Sequence, residues 1–186
     1  MIGTNGFDGA IMAWVQAHCH NAITDWIFPI LTYLGEAGAV WIVLSLVLLF
    51  RKKTRYGGLL ALCAMAAGFL LGEVLLKNTI CRERPFQVFP DYTMLLISPP
   101  SGFSFPSGHT CASFAAATVL CCQFKKWGVP ALILAGLIGF SRIFLFVHWP
   151  TDVLAGMVLG IACGLVTCWI AKKIEQRNGI EKSKEE

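Results

Sequence analysis

Apolar residues dominate this chain in stretches long enough to cross a lipid bilayer, and polar positions fall between those stretches or at their ends. Residues 6–27 place Phe7, Ala10, Ile11, Trp14, Val15, Ala22, Ile23, Trp26 and Ile27 at helical spacing, interrupted by Asp8, Gln16, His20 and Asn21. That pattern predicts an amphipathic helix lying in the membrane interface, followed by a short insertion. Residues 27–50 are apolar around Gly35-Glu36-Ala37-Gly38, which predicts a short helix, a turn and a second helix from about Ala39 to Phe50. Gly57–Leu76 has a spanning length of 20 residues, with Glu73 as its one charge. Residues 77–107 read as a polar, proline-containing connection. Thr110–Phe124 is apolar, Trp127–Val147 and Val153–Ala171 are spans, and the charged tail from Lys172 is expected to fray.

Composition turns this pattern into a fold class. A chain of 186 residues that is 56% hydrophobic and 14% charged cannot hide its apolar surface in a soluble core. The expectation is an all-α, polytopic membrane bundle of five to six transmembrane helices in one membrane domain. Gly68-xxx-Gly72 and Gly156-xxx-Gly160-xxx-Gly164 each put small residues on one helix stripe. Close packing inside the bundle is the favoured use of such stripes, dimerisation the other, so monomer and dimer both stay open.

Cys63, Cys111, Cys163 and Cys168 lie inside apolar runs, while Cys19 and the Cys121-Cys122 pair have no CxxC partner. Neither a disulfide framework, a zinc site nor a redox dithiol is indicated. His18 and His20, two apart, point to different sides of a helix and do not suggest a metal. No basic stripe is interleaved with aromatics, so nucleic acid is not an expected partner. The amino terminus has no basic residue ahead of its apolar positions and lacks the pattern of a cleavable signal.

Charge distribution says more than the net charge of +4. The clusters at 51–55, 125–126 and 172 onward hold 11 of the 15 Lys and Arg, and the drawn spans put all three on one face. That face should be cytoplasmic, with the carboxy terminus. Lys77, Arg82, Arg84 and Arg142 fall at the opposite face, against the usual bias, which points to an anionic ligand there.

Three stretches converge on that face: Lys77 to Pro85, Pro106-Ser107-Gly108-His109, and Ser141 to Asp152. Arginine forks at Arg84 and Arg142 match phosphate oxygens, and Lys77 adds a compact charge. Ser107-Gly108 leads into a helix, so backbone N–H groups can face an anion, with the Ser107 hydroxyl as a further donor. Arg142 and His148 are six apart and Ser141 and His148 seven, about two helical turns, so all three can face one cavity. Pro150 starts a new helix, from whose first turn Asp152 can reach back to the imidazole. A neutral imidazole held by a carboxylate suits a nucleophile or base, and two histidines flanking phosphorus could divide nucleophile and acid roles. Glu73, one turn before Lys77, reads as its i,i+4 partner. Arg82 and Glu83 read as rim residues.

Lys77 with Arg84-Pro85, then Pro106 to His109, then Ser141-Arg142 with His148 and Asp152, resembles the three-part pattern K-x6-RP, PSGH and SR-x5-H-x3-D of the type 2 phosphatidic acid phosphatase (PAP2) superfamily. The match in residue type and spacing is complete from Lys77 to Asp152. The resemblance implies a PAP2/haloperoxidase-like core and a metal-independent phosphohydrolase with no cofactor and a phosphohistidine intermediate. In it His148 would be the nucleophile, His109 the general acid/base and Asp152 the residue that orients His148. Lys77, Arg84, Ser107, Gly108 and Arg142 would bind the phosphoryl oxygens. The chain then divides into an interfacial segment 1–27, a PAP2-like transmembrane catalytic domain 28–171 and a cytoplasmic tail 172–186.

A lipid phosphate entering sideways from the outer leaflet of the cell membrane is the substrate class that fits. Undecaprenyl (polyprenyl) pyrophosphate heads the candidates, the arginines at 82 and 84 favouring a diphosphate; phosphatidylglycerophosphate or phosphatidate is the alternative. A lipid-phosphate transporter or flippase would call for internal repeats, which the sequence lacks. A haem-binding protein using His109 and His148 would leave the external cations unexplained.

Overall fold

The computed structural model describes residues 6–89 and 95–185, with side chains described as far as Arg177. Its regular elements are helical: α1 (Phe7–His18), α2 (Thr24–Leu34), a 3-10 turn (Glu36–Gly38), α3 (Ala39–Leu49), α4 (Arg55–Phe69), a π-helical segment (Leu70–Leu76), α5 (Lys77–Ile80), α6 (Pro85–Val88), α7 (Gly108–Gln123), α8 (Lys125–Phe144) and α9 (Pro150–Glu185).

Helix α7 forms the axis of the bundle, wrapped by α4, α8 and α9. Its sequence explains the position. Ala115, Ala116, Ala117 and Val119 are almost fully enclosed, and small residues let three helices approach one backbone. The α9 stripe uses the same device. A β-carbon on Gly156 would lie 2.5 Å from the Ser107 carbonyl oxygen, one on Gly160 2.4 Å from that of Cys111, and one on Gly164 2.7 Å from Thr118 Cβ. The register shows α7 and α9 running parallel, and assigns this stripe to packing within the bundle. The Ser113 hydroxyl on α7 finds its partner inside: Trp41 Nε1 donates to Ser113 Oγ at 2.8 Å.

Outward-facing positions carry the large apolar side chains, among them Phe69, Leu70, Val74, Ile133, Val158, Leu165 and Trp169. Such a surface is suited to hydrocarbon rather than water. Among the described residues, three stretches are long and apolar enough to cross a membrane: Arg55–Val88, Lys125–Phe144 and Pro150–Arg177. The pair Thr24–Leu34 and Glu36–Leu49, bent by 49°, would make a fourth. The expected five to six spans are therefore not reached on length and composition. At 1.5 Å per residue, the 16 residues of α7 extend only about 24 Å, short of a hydrocarbon core of about 30 Å. The 27–50 run is split where Ala37 and Gly38 take positive φ values of 48° and 72°.

At the carboxy end α9 continues as helix through Glu185 instead of stopping at Ala171. The side chains of Lys182 and Lys184, counted above with the basic clusters, lie outside the described residues. At the amino end α1 buries Met12 and Val15 and exposes Phe7 and Trp14. Gln16 Nε2 donates to the Phe144 carbonyl at 3.1 Å, so α1 is laid against the end of α8. A β-carbon on Gly57 would touch Phe124, which puts the 51–55 and 125–126 clusters at one end of the bundle. Lys77, His109 and His148 share a cavity at the other end.

The α7–α9 contact yields a test of the fold. Gly160→Ala should lower the thermal unfolding midpoint in detergent, by an overpacking penalty of about 1–3 kcal/mol. Gly136→Ala, where a β-carbon meets nothing within 4 Å, should leave it unchanged or raised. Equal midpoints for the two variants would contradict this packing.

Candidate active site

A cavity of about 760 Å³ opens where α7 starts and where α8 and the π-helical continuation of α4 end, and Lys77, Arg84, Gly108, His109, Arg142 and His148 line it together with Glu36 and Glu73. The three motif stretches thus meet, though not in the way helical spacing suggests. Helix α8 stops at Phe144, and the chain turns through Leu145–His148 with Phe146 at φ 61°. The N–H groups of Val147 and His148 both donate back to the Arg142 carbonyl at 3.2 Å. Arg142 and His148 are therefore brought together by this turn and not by two turns of one helix. Ser141, expected to face the cavity with them, is buried and donates to the Ile138 carbonyl at 2.6 Å.

The geometry around His148 settles its tautomer. Arg84 Nη1 lies 3.2 Å from His148 Nε2. A guanidinium has only protons to give, so Nε2 accepts and the ring proton sits on Nδ1. On that side Asp152 Oδ2 is 3.5 Å away and Ser104 Oγ 3.4 Å away. Burial first, then the charges of Arg142, Arg84 and Lys77, hold the imidazole well below its usual pKa, against an opposing hydrogen bond to the Ser104 backbone. Its neutral form thus presents a lone pair on the Arg84 side.

Asp152 is wholly enclosed and held from several directions. Trp149 N–H donates to Oδ2 at 2.9 Å, the Ser104 hydroxyl donates to the same oxygen, and Arg82 Nη1 donates to Oδ1 at 2.6 Å. Two of these partners escaped sequence reasoning. Ser104 sits in an irregular loop with no periodicity to mark it. Arg82, read as a rim residue, is a partner of the buried carboxylate.

The cations differ in what they hold. Arg84 Nε donates to the Gly102 carbonyl at 2.9 Å, Nη2 to that of Ser101 at 3.2 Å and Nη1 to that of Val147 at 2.9 Å. In this state it is a clasp joining two loops as much as a fork for oxygens. Arg142 Nη1 donates to Thr32 Oγ1 on α2, and its buried Nε finds no hydrogen-bond partner among the described residues. A buried, unanswered guanidinium N–H is costly, and an anion in the cavity would relieve it. Lys77 Nζ meets Glu73 Oε1 and Oε2 at 2.6 and 2.7 Å, the expected i,i+4 pair, here built on the π-helical turn.

Ser107 and Gly108 open α7. The Ser107 oxygen accepts from Thr110 Oγ1 at 2.9 Å and from Thr110 N at 3.5 Å, so it caps the helix; it is buried and not part of the cavity wall. Gly108 forms part of that wall, pressed against the Glu73 carboxylate. His109 Nε2 lies 3.4 Å from Glu36 Oε2, at the break between α2 and α3. That contact and the Thr32 bond show α2 and its turn completing the site, which no motif had indicated. Among the described residues no group of three His, Cys, Asp or Glu side chains could hold a metal ion.

Comparison with known proteins bears on the family and the fold. The undecaprenyl-diphosphatase of Sulfolobus acidocaldarius is 35% identical over 155 residues, covering 79% of this chain and 74% of its own. The Aquifex aeolicus LpxE structure superposes with a TM-score of 0.74 at 27% identity, over 90% of this chain and 99% of that one. The phosphatidylglycerolphosphate phosphatase of Bacillus subtilis gives 0.70 at 28% identity, over 90% and 85%. Residues 56–176 match the PAP2 superfamily, a span that contains all three motif stretches, and the chain belongs to that superfamily.

Proposed function

We propose that this membrane phosphatase hydrolyses a lipid diphosphate, with a polyprenyl pyrophosphate as its substrate and a phosphohistidine as its intermediate. The observation that carries the reading is the neutral His148, whose Nε2 accepts from Arg84 while Nδ1 faces Asp152. When a phosphoryl group occupies the cavity, Nε2 attacks phosphorus and the bond to the lipid-side oxygen breaks. Burial and the surrounding cations hold His109 far below its usual pKa, to about 2. It takes up a proton when the anionic phosphoryl group enters, and gives that proton to the departing oxygen. His109 then takes a proton from water, the water oxygen attacks phosphorus, and the P–N bond breaks to return neutral His148 and inorganic phosphate. Lys77, Arg84 and Arg142, with the Gly108 backbone, supply positive charge where the transition state accumulates negative charge. Ser107 contributes by fixing the start of α7. This chemistry needs no metal.

The substrate class follows from the setting. The cavity lies among apolar, outward-facing helices, at the end opposite the 51–55 and 125–126 clusters. By the positive-inside bias that end is extracytoplasmic, with the tail in the cytoplasm. Similarity to an undecaprenyl-diphosphatase supports the polyprenyl diphosphate. The arginine pair does not, because Arg82 is engaged by Asp8 and Asp152. Similarity to a phosphatidylglycerolphosphate phosphatase keeps that lipid as the second reading.

Three measurements test these points. Phosphate release from undecaprenyl pyrophosphate, phosphatidylglycerophosphate and phosphatidate should be fastest on the first and unchanged by excess chelator. Loss on chelation would point to a metal enzyme, and no release from any lipid would favour transport. In histidine-labelled protein, with His148→Asn for assignment, the His148 ring should remain neutral as pH falls through 6.5 and protonate only well below it; titration near 6.5 would contradict the buried, cation-flanked setting. Finally, a β-carbon on Gly108 would fall 2.1 Å from Glu73 Oε1. Gly108→Ala should therefore lower kcat/KM by at least about tenfold, the cost of a displaced transition-state donor; wild-type values would remove Gly108 from the phosphate cradle.

A further inference from the structure

Asp8 belongs to the amphipathic α1 and lies outside the span that matches the superfamily. Yet its carboxylate stands at the start of α9. Oδ1 accepts from the Thr151 backbone N–H at 2.9 Å, and Oδ2 accepts from Thr151 Oγ1 at 2.6 Å and from Arg82 Nη2 at 2.6 Å. The other arm of the same guanidinium, Nη1, reaches Thr151 Oγ1 at 2.7 Å and Asp152 Oδ1 at 2.6 Å. One arginine thus bridges two carboxylates, one on the surface helix and one behind the imidazole. The Arg82 guanidinium also lies 5.1 Å from the centre of the Trp149 ring, which fixes its plane. Asp152 carries the line onward through Oδ2 to His148 Nδ1 at 3.5 Å.

We propose that Asp8 is a positioning residue for the nucleophile, acting through Arg82 on Asp152. The proposal rests on the reading of His148 as that nucleophile. The physical reason is competition for one cation. With Asp8 present, Arg82 divides its charge between two carboxylates and leaves Asp152 able to hold the Nδ1 proton of His148. Without the Asp8 charge, Arg82 commits to Asp152, draws its carboxylate toward Oδ1, and weakens the hold on the ring. The phosphate cradle of Lys77, Arg84, Gly108 and Arg142 is not part of this line, so substrate binding should be spared. Nor does α1 depend on Asp8 for its seat, since Met12 and Val15 are buried and Gln16 bonds the Phe144 carbonyl.

The test uses the full-length protein in detergent with undecaprenyl pyrophosphate, and compares wild type, Asp8→Asn, Asp8→Glu and Arg82→Lys. Asp8→Asn keeps shape and removes charge. It should lower kcat about tenfold, the scale of losing a group that orients a functional ligand, with KM within about twofold. Asp8→Glu should recover most of that loss. Arg82→Lys, which cannot span both carboxylates, should lower kcat with KM unchanged. Two results would overturn the proposal: wild-type kcat in Asp8→Asn, or a loss shared by kcat, KM and thermal midpoint that Asp8→Glu does not relieve. Should Asp8→Asn not fold, Arg82→Lys decides alone by the same split. Failure of the phosphatase reading would look different, as wild type itself would release no phosphate.

Discussion

One imidazole, held neutral among buried cations, is the feature on which the rest of the structure depends. Arg84 and Arg142 are almost fully enclosed at one end of an apolar bundle. Isolated charges in such a place would be expensive, and the chain compensates each differently. Arg84 is answered by three backbone carbonyls and Arg142 by a threonine on another helix, while Lys77 is met by a carboxylate. Positive charge is therefore held in the cavity, with Arg84 Nη1 also within 3.2 Å of His148 Nε2. The same charges disfavour an imidazolium, so His148 stays neutral, as the proposed nucleophile must. In the proposed reaction, substrate affinity and nucleophile activation share one cause.

That arrangement is set by close helix packing. The glycine stripe of α9 lets its backbone run against α7, and the two helix starts are thereby brought side by side. Ser107 N–H donates to the Asp152 carbonyl at 3.0 Å, tying the start of α7 directly to the first turn of α9. A small displacement of either helix would separate His109 from His148, which explains why glycines are needed about one turn deeper in the bundle. The outward-facing surface, by contrast, asks only for apolarity, and Leu, Val, Ile, Phe and Trp side chains all occur on it.

Much of this was legible in the sequence, because the chemistry is carried by rare polar residues in an apolar background. Lys77, Arg84, His109, Arg142, His148 and Asp152 stand out for that reason, as does the Glu73–Lys77 pair at i,i+4. The α2–α3 break was marked by Gly35-Glu36-Ala37-Gly38. What escaped depends on residues distant in the chain. Ser104 meets Asp152 across 48 positions and Asp8 meets Thr151 across 143, and neither has a local signal. Helical arithmetic placed Arg142 near His148 correctly but for the wrong reason, since it did not foresee the turn at Phe146. The count of five to six spans is not confirmed, because length and apolarity mark three stretches among the described residues, or four with the bent pair, and a buried axial helix such as α7 carries no such mark.

The central claim is that His148 bonds covalently to phosphorus. Its most direct test is rapid acid-free quenching of wild-type protein during turnover of a lipid diphosphate, followed by mass spectrometry of the peptides. The account predicts one phosphoryl group on the peptide containing His148, acid-labile and stable to base, and none when His148 is replaced. Steady release of phosphate by the His148→Ala protein, or a phosphoryl group on His109 instead, would contradict it.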